Sequence, residues 1–222
     1  MHFRPIPRLT DELWFPPISQ ADSEGLVAIG GDLSPERLIL AYKSGIFPWF
    51  SGKIPHWYSL DPRFVLKPEN LKVSKSMRPI INQRKFELKI NTSFHEVIVN
   101  CKTIRRDGQA GTWITNDIVK SYTQLHEMGI AHCAEAWQDD QLVGGLYGIK
   151  MGNVFFGESM FSKQSNASKF AFIQYVQQLQ SEGIELIDCQ METEYLGSLG
   201  ASFISRTFFL TELQRLIPKG KY

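Results

Sequence analysis

The sequence predicts an α+β fold: a three-strand antiparallel meander flanked by helices, behind a small N-terminal domain. Three observations carry this. Alternating apolar runs cover residues 131–137, 141–150 and 153–161, joined by the short turns Gln138-Asp139-Asp140 and Met151-Gly152. Helix-period stripes lie on both sides of that block. Asp61-Pro62-Arg63 marks a break, so domains are expected at 1–62 and 63–222.

In chain order, residues 1–32 are rich in Pro, Asp and Gly and read as loops with short extended pieces; Gly30-Gly31-Asp32 is a turn. Ser34 should cap a helix that has Pro35 at its first position and buries Leu38, Ala41 and Tyr42, with Gly45 at its end. A polar turn at Ser51-Gly52-Lys53 precedes an extended stretch from His56 to Ser59. Ser93 and Glu96 have the spacing of a capping box, and Phe94, Val97, Ile98 and Cys101 form one stripe. A second helix should begin at Thr115 or Asn116, bury Ile118, Tyr122 and Leu125, and stop at Gly129. After the meander, Asn166 is expected to cap a helix that buries Phe172, Tyr175, Val176 and Leu179 and closes at Gly183. A strand over 184–190 follows.

Composition is that of an ordinary globular protein: 222 residues, 43% hydrophobic, 21% charged, net charge +1. The charge is uneven. Residues 1–62 carry five Lys/Arg against seven Asp/Glu, whereas 63–89 hold eight basic residues and only Glu69 and Glu87. That second stretch is either a solvated face or a phosphate-binding surface. Cys101, Cys133 and Cys189 are far apart and the histidines show no ligand spacing, so neither a disulfide framework nor a metal site is expected. The N-terminus lacks a signal-peptide core and no run is long enough for a membrane span. A cytoplasmic protein with no membrane contact, and a monomer, are expected.

Two polar interruptions of apolar strands stand out. Glu158 sits within Val154-Phe-Phe-Gly-Glu-Ser-Met-Phe-Ser162, and burying a charge costs several kcal/mol unless it is compensated. The strand Ile184-Glu-Leu-Ile-Asp-Cys-Gln190 ends in Asp188 and Gln190, which a two-residue period places on one face. Either a buried structural network or a site for an amine-bearing substrate would account for Glu158. A strand-end cap is the bland alternative for Asp188 and Gln190.

The order of helices, meander, helix and strand resembles the acyltransferase fold of GCN5-related N-acetyltransferases. Those enzymes hold coenzyme A on a glycine-bearing loop ahead of the central helix. Here that stretch is Phe161-Ser-Lys-Gln-Ser-Asn-Ala-Ser168, without glycine, so a cofactor-free relative is expected. Nine motifs then occur in order: Gly30-Gly-Asp-Leu-Ser-Pro35-x-x-Leu38, Gly45-Ile-Phe-Pro-Trp-Phe50, Asp61-Pro-Arg63, Gly111-Thr-Trp-Ile114, Gly144-Gly-Leu-Tyr-Gly148, Phe156-Gly-Glu-Ser-Met-Phe-Ser162, Asn166-Ala-Ser-Lys169, Leu186-Ile-Asp-Cys-Gln190 and Ser198-Leu-Gly-Ala201. Together they resemble the leucyl/phenylalanyl-tRNA–protein transferase family over nearly the whole chain. Two departures are Leu60, where members usually have Pro, and Tyr195, where they commonly have His.

The resemblance implies transfer of Leu or Phe, and less well Met, from aminoacyl-tRNA to the N-terminal amine of proteins beginning with Arg or Lys, which marks them for N-end-rule degradation. It implies neither metal nor cofactor. It assigns catalysis to Asp188 and Gln190, and substrate binding to Glu158 with an apolar donor pocket of Leu146, Phe155, Met160, Phe172 and Tyr175. Trp49 and Trp113 are the implied stacking partners of the terminal adenosine. The basic residues Arg63, Lys72, Lys75, Arg78, Arg84 and Lys85 are then expected to contact tRNA phosphates. A coenzyme A-dependent acetyltransferase and a non-catalytic RNA-binding protein are the competing readings.

Overall fold

The computed structural model describes residues 5–104 and 112–220. The chain separates into two compact units, Met1–Arg63 with Ile204–Tyr222, and Phe64–Phe203. The sequence reading put residues 204–222 with the second domain. They cluster instead with the first, because the last helix packs its apolar face there, Phe209 and Leu210 lying against Gly45.

The first unit holds strands β1 (Arg8–Leu9), β2 (Leu26–Gly30), β3 (Phe47–Pro48) and β4 (His56–Tyr58), and helix α1 (Pro35–Lys43). Sheet order is β1-β2-β4-β3, with β1 and β2 parallel. Ser34 caps α1, its hydroxyl accepting the Arg37 N–H. The Arg37 guanidinium is fully buried and donates to the carbonyls of Thr10 (2.8 Å) and Glu12 (3.0 Å) and to Asp32 (3.2 Å), which fastens the irregular N-terminal segment to the helix. Such a buried cation is tolerable only when saturated in this way.

In the second unit the order is β5 (Arg63–Leu66), α2 (Met77–Asn82), β6 (Glu87–Ile90), α3 (Phe94–Thr103), α4 (Asn116–Glu127), β7 (Ala131–Gln138), β8 (Gln141–Met151), β9 (Val154–Ser162), α5 (Ala167–Ser181), β10 (Leu186–Gln190), α6 (Glu194–Ser198) and β11 (Ser202–Ile204); α7 (Arg206–Leu216) closes the chain in the first unit. The seven-stranded sheet runs β11-β5-β10-β9-β8-β7-β6. β9 and β10 are parallel, as their connection through α5 allows, whereas β5 with β10 and the β6 to β9 neighbours are antiparallel. The expected meander is therefore present, with ends within a residue of those read from the sequence.

Side-chain alternation assigns each face. Ala134, Ala136, Leu146, Phe155 and Ile187 join Phe170, Phe172, Tyr175 and Val176 of α5 in the main core. Tyr147, from the other face of β8, meets Phe94 of α3 and Tyr122 of α4 edge-on, at 6.0 and 5.5 Å between ring centroids. Gly144 admits α5: a Cβ there would lie 2.6 Å from the Ala167 Cβ. No helix among the described residues is long and apolar enough to cross a membrane.

Two caps differ from expectation. Ser93 stands at the N-cap of α3 without a side-chain cap; the N–H groups of Thr92 and Ser93 donate to Glu135 of β7, each at 2.8 Å. A long-range carboxylate has displaced the local box. Asn166 has φ of 68° and makes no side-chain cap on α5. The left-handed region favours Asn, and that turn is its contribution.

Candidate active site

The central feature is a fork between β9 and β10. Their pairing runs Leu186↔Val154, Ile187↔Phe155, Asp188↔Phe156 and ends there, although β9 continues to Ser162 and β10 to Gln190. A bulge lies just beyond on each strand. On β9, Tyr147↔Ser159 is followed by Gly148↔Gly157, so Glu158 is the extra residue. On β10 the register against β5 shifts between Asp188 and Gln190. Gln190 has φ of 61°, a conformation most side chains avoid.

A hydrogen-bonded chain spans the fork. Gln190 Nε2 donates to Glu158 Oε1 at 3.0 Å, and the Tyr122 hydroxyl donates to Glu158 Oε2 at 3.1 Å. Asp188, fully buried, accepts the Gln190 backbone N–H on Oδ1 at 2.9 Å, which holds Gln190 in its left-handed turn. Asp188 and Gln190 thus meet, but not through the two-residue period of a regular strand: the bulge breaks that period, and the link is side chain to backbone. Glu158 is half-buried. With Nε2 bonded to a carboxylate, Oε1 is the acceptor end of the amide.

The bulge also organises the apolar candidates. Phe155 and Met160 are five residues apart and would face opposite sides of a regular strand. The extra residue returns Met160 to the α5 side, where it pairs with Leu146 across β8. The Phe155 ring meets Tyr175 edge-on at 5.2 Å and occupies the space above Gly148, whose Cβ would fall 2.5 Å from the ring. Leu146, Phe155, Phe172 and Tyr175 are buried in one cluster with Met160 packed against it. Burial pushes the Tyr175 phenol well above its usual pKa, so it stays neutral.

Other candidates are dispersed. Trp49 belongs to the first unit, 42% exposed and edge-on to Tyr58 at 5.5 Å. Trp113 is half-buried ahead of α4; Gly111 of its motif lies outside the described residues. Lys72, Lys75, Arg78, Arg84 and Lys85 are exposed on the second unit. Arg63 is a correction. It is fully buried, with its guanidinium 4.6 Å from the Phe47 ring and 4.7 Å from the Phe209 ring, so it cannot serve a phosphate-binding surface. Tyr122 is the residue sequence reasoning missed, since its stripe position marks it only as core. The available signal was a phenol, not a phenyl ring, at a buried position.

With this geometry in hand, comparison with known proteins decides the family. The family model for leucyl/phenylalanyl-tRNA protein transferase matches residues 65–214, and the model for its N-terminal domain matches 31–61. The chain belongs to the leucyl/phenylalanyl-tRNA–protein transferase family. It is an aminoacyltransferase. It is 55% identical to the leucyl/phenylalanyl-tRNA–protein transferase of Flavobacterium johnsoniae over 93% of this chain and 98% of that one. The Syntrophobacter fumaroxidans protein of the same name is 48% identical over 97% and 92%. A solved GCN5-related N-acetyltransferase-like protein from Streptococcus suis aligns at a TM-score of 0.39 and 11% identity over 74% of this chain and 61% of that one, too remote to add to the fold described above. The whole β9–β10 fork and Tyr122 fall within the matched 65–214 segment, and Trp49 falls within the matched N-terminal domain.

Proposed function

We propose that this aminoacyltransferase moves Leu or Phe, and less well Met, from aminoacyl-tRNA to the N-terminal α-amine of proteins that begin with Arg or Lys, in the cytoplasm, and so marks them for N-end-rule degradation. The observation that carries the reading is the Asp188–Gln190–Glu158 chain across the fork. The acceptor amine forms a bond to the ester carbonyl carbon, the ester C–O bond breaks, and the amine proton ends on the departing ribose oxygen. A free α-amine has pKa about 7.7–8, so a good fraction is neutral near pH 7, and aligning it with the ester is the larger task, worth ~7–11 kcal/mol.

Roles follow from donor and acceptor inventory. Gln190 Oε1 accepts an N–H of the attacking amine and aims its lone pair. Its Nε2 is turned toward Glu158, which favours this over donation to the developing oxyanion. Asp188 acts through Gln190, fixing its backbone, and is a positioning residue. Glu158 holds an ammonium group, either that of the donor amino acid or that of a cationic acceptor terminus. The Leu146, Phe155, Met160, Phe172 and Tyr175 cluster is the donor pocket. Its unbranched Met and aromatic walls adapt to Leu and Phe and reject β-branched side chains by shape. Trp49 and Trp113 stack on the terminal adenosine, and Lys72, Lys75, Arg78, Arg84 and Lys85 contact tRNA phosphates without reading sequence. The catalytic machinery lies within 64–203, and the enzyme works as a monomer without metal or cofactor.

The test supplies Phe-tRNA and a peptide beginning with Arg, and follows Phe onto the peptide by mass spectrometry. Transfer that Gln190→Ala reduces by about 10²-fold supports the reading. Intact tRNA binding with no transfer overturns it.

A further inference from the structure

One basic side chain outside the run at 63–89 is held in a defined place beside the donor-pocket cluster. Lys169, in the first turn of α5, is exposed, and its Nζ lies 4.9 Å from the centroid of the Tyr195 ring. The Tyr195 hydroxyl reaches back toward the Lys169 carbonyl at 3.5 Å. The same ring packs edge-on against Phe172 at 6.3 Å. Tyr195 therefore bridges a cation and a side chain of the donor pocket. Lys169 and Phe172 are three apart on α5, on one helix face, roughly 5–6 Å between Cβ atoms. None of the ion pairs among the described residues occupies Lys169.

We propose that Lys169, steadied on the Tyr195 ring, binds the phosphate immediately 5′ of the aminoacylated terminal nucleoside of the donor RNA. The proposal rests on the transfer reading above. An aminoacyl side chain seated beside Phe172 puts its ester at the pocket mouth. The first phosphate is one ribose farther out, within the reach of a lysine side chain that starts one helix turn from Phe172. A lysine free in solvent loses rotamer freedom on gripping a phosphate, and an aromatic platform removes part of that cost. Tyr195 thereby acquires a role: a neutral ring that holds a cation without repelling it. Burial raises the Tyr195 phenol, which keeps it uncharged.

The experiment compares two minimal donors, 3′-O-phenylalanyl-adenosine, which has no phosphate, and the same aminoacyl nucleoside extended to CpA, which has one. The wild-type enzyme should prefer the CpA donor in kcat/KM. Lys169→Gln should lower that preference about tenfold, with the loss confined to the phosphate-bearing donor. Lys169→Arg should restore most of it. Tyr195→Phe keeps the ring and should keep the wild-type ratio, whereas Tyr195→Leu should lower the ratio several-fold. With phenylalanyl-tRNA, Lys169→Gln should also flatten the salt dependence of log kcat/KM by about 0.7. Equal losses on both donors, an unchanged ratio, or equal use of the two donors by the wild type would each overturn the proposal. Failure of the wild-type enzyme on phenylalanyl-tRNA itself would instead overturn the transfer reading.

Discussion

Two glutamates interrupt apolar strands of the same sheet, and the fold treats them differently. Glu135 of β7 is fully buried and collects the N–H groups of Thr92 and Ser93, the Thr92 hydroxyl, the Cys133 thiol at 3.1 Å and the Trp137 indole at 2.9 Å. Burial alone raises its pKa; the bonds from Thr92, Trp137, Cys133 and Ser93 outweigh burial and hold it below the usual carboxylate value. Glu158 of β9 is half-buried, and the Gln190 and Tyr122 side chains donate to it. The difference teaches which acid is available to a ligand. A fully buried carboxylate that collects both backbone and side-chain donors is a structural joint between β7 and the start of α3. A carboxylate at a bulge, half-buried where the β9–β10 pairing has ended, keeps the exposure that the proposed ammonium contact needs.

The sharpest way to break this contrast is Glu135→Gln. The amide places N–H donors against donors, so stability should fall by on the order of 3 kcal/mol in denaturant unfolding, and activity should fall only as far as the folded fraction does. Glu158→Gln should do the reverse. Unfolding should shift by less than about 1 kcal/mol, while kcat/KM for peptide phenylalanylation falls at least tenfold; a large loss of stability with normal turnover would make Glu158 a second structural joint. Tyr122→Phe removes one donor to Glu158 and keeps the ring that packs on Tyr147, so kcat/KM should drop by a few-fold, about 1 kcal/mol, with unfolding unchanged. The smallest effect is in pH. Asn91 Nδ2 lies 2.9 Å from His132 Nδ1, which makes that nitrogen the acceptor and leaves Nε2 to donate toward the Gly129 carbonyl. Burial, with Lys150 and His126 nearby, holds the His132 pKa below 6.5. Its contribution to stability is therefore complete above pH 6.5 and is lost as pH falls below that toward the folded-state value. The unfolding midpoint should decline over that window, and His132→Gln should remove that part of the decline.

What was legible in the sequence is what local pattern encodes. Alternation located β7, β8 and β9, and 3.6-residue stripes located α3, α4 and α5, because each buries one face against a single partner layer. What was illegible is set at long range. The box at Ser93 and Glu96 is locally sound, yet Glu135, more than forty residues away, takes the N–H groups. Arg63 belongs to a basic run by composition and is buried because Phe209 and Phe47 close over it. That Glu158, Asp188 and Gln190 belong to one polar site was expected from two polar interruptions in apolar strands. The means was not, since neither bulge nor the left-handed Gln190 has a signature that periodicity can show. Tyr122 was visible as core and its hydroxyl was not assigned a task.

The bulge at Glu158 makes residue count, as well as residue identity, bear on the architecture. Phe155 and Met160, five apart, share a side because β9 carries one residue more than β8 beside it. Deleting Glu158 would leave them four apart on a regular strand, still on one side, with Met160 opposite Leu146 as before. The strand can therefore lose the extra residue and keep both apolar walls; what the insertion adds to the architecture is the carboxylate itself.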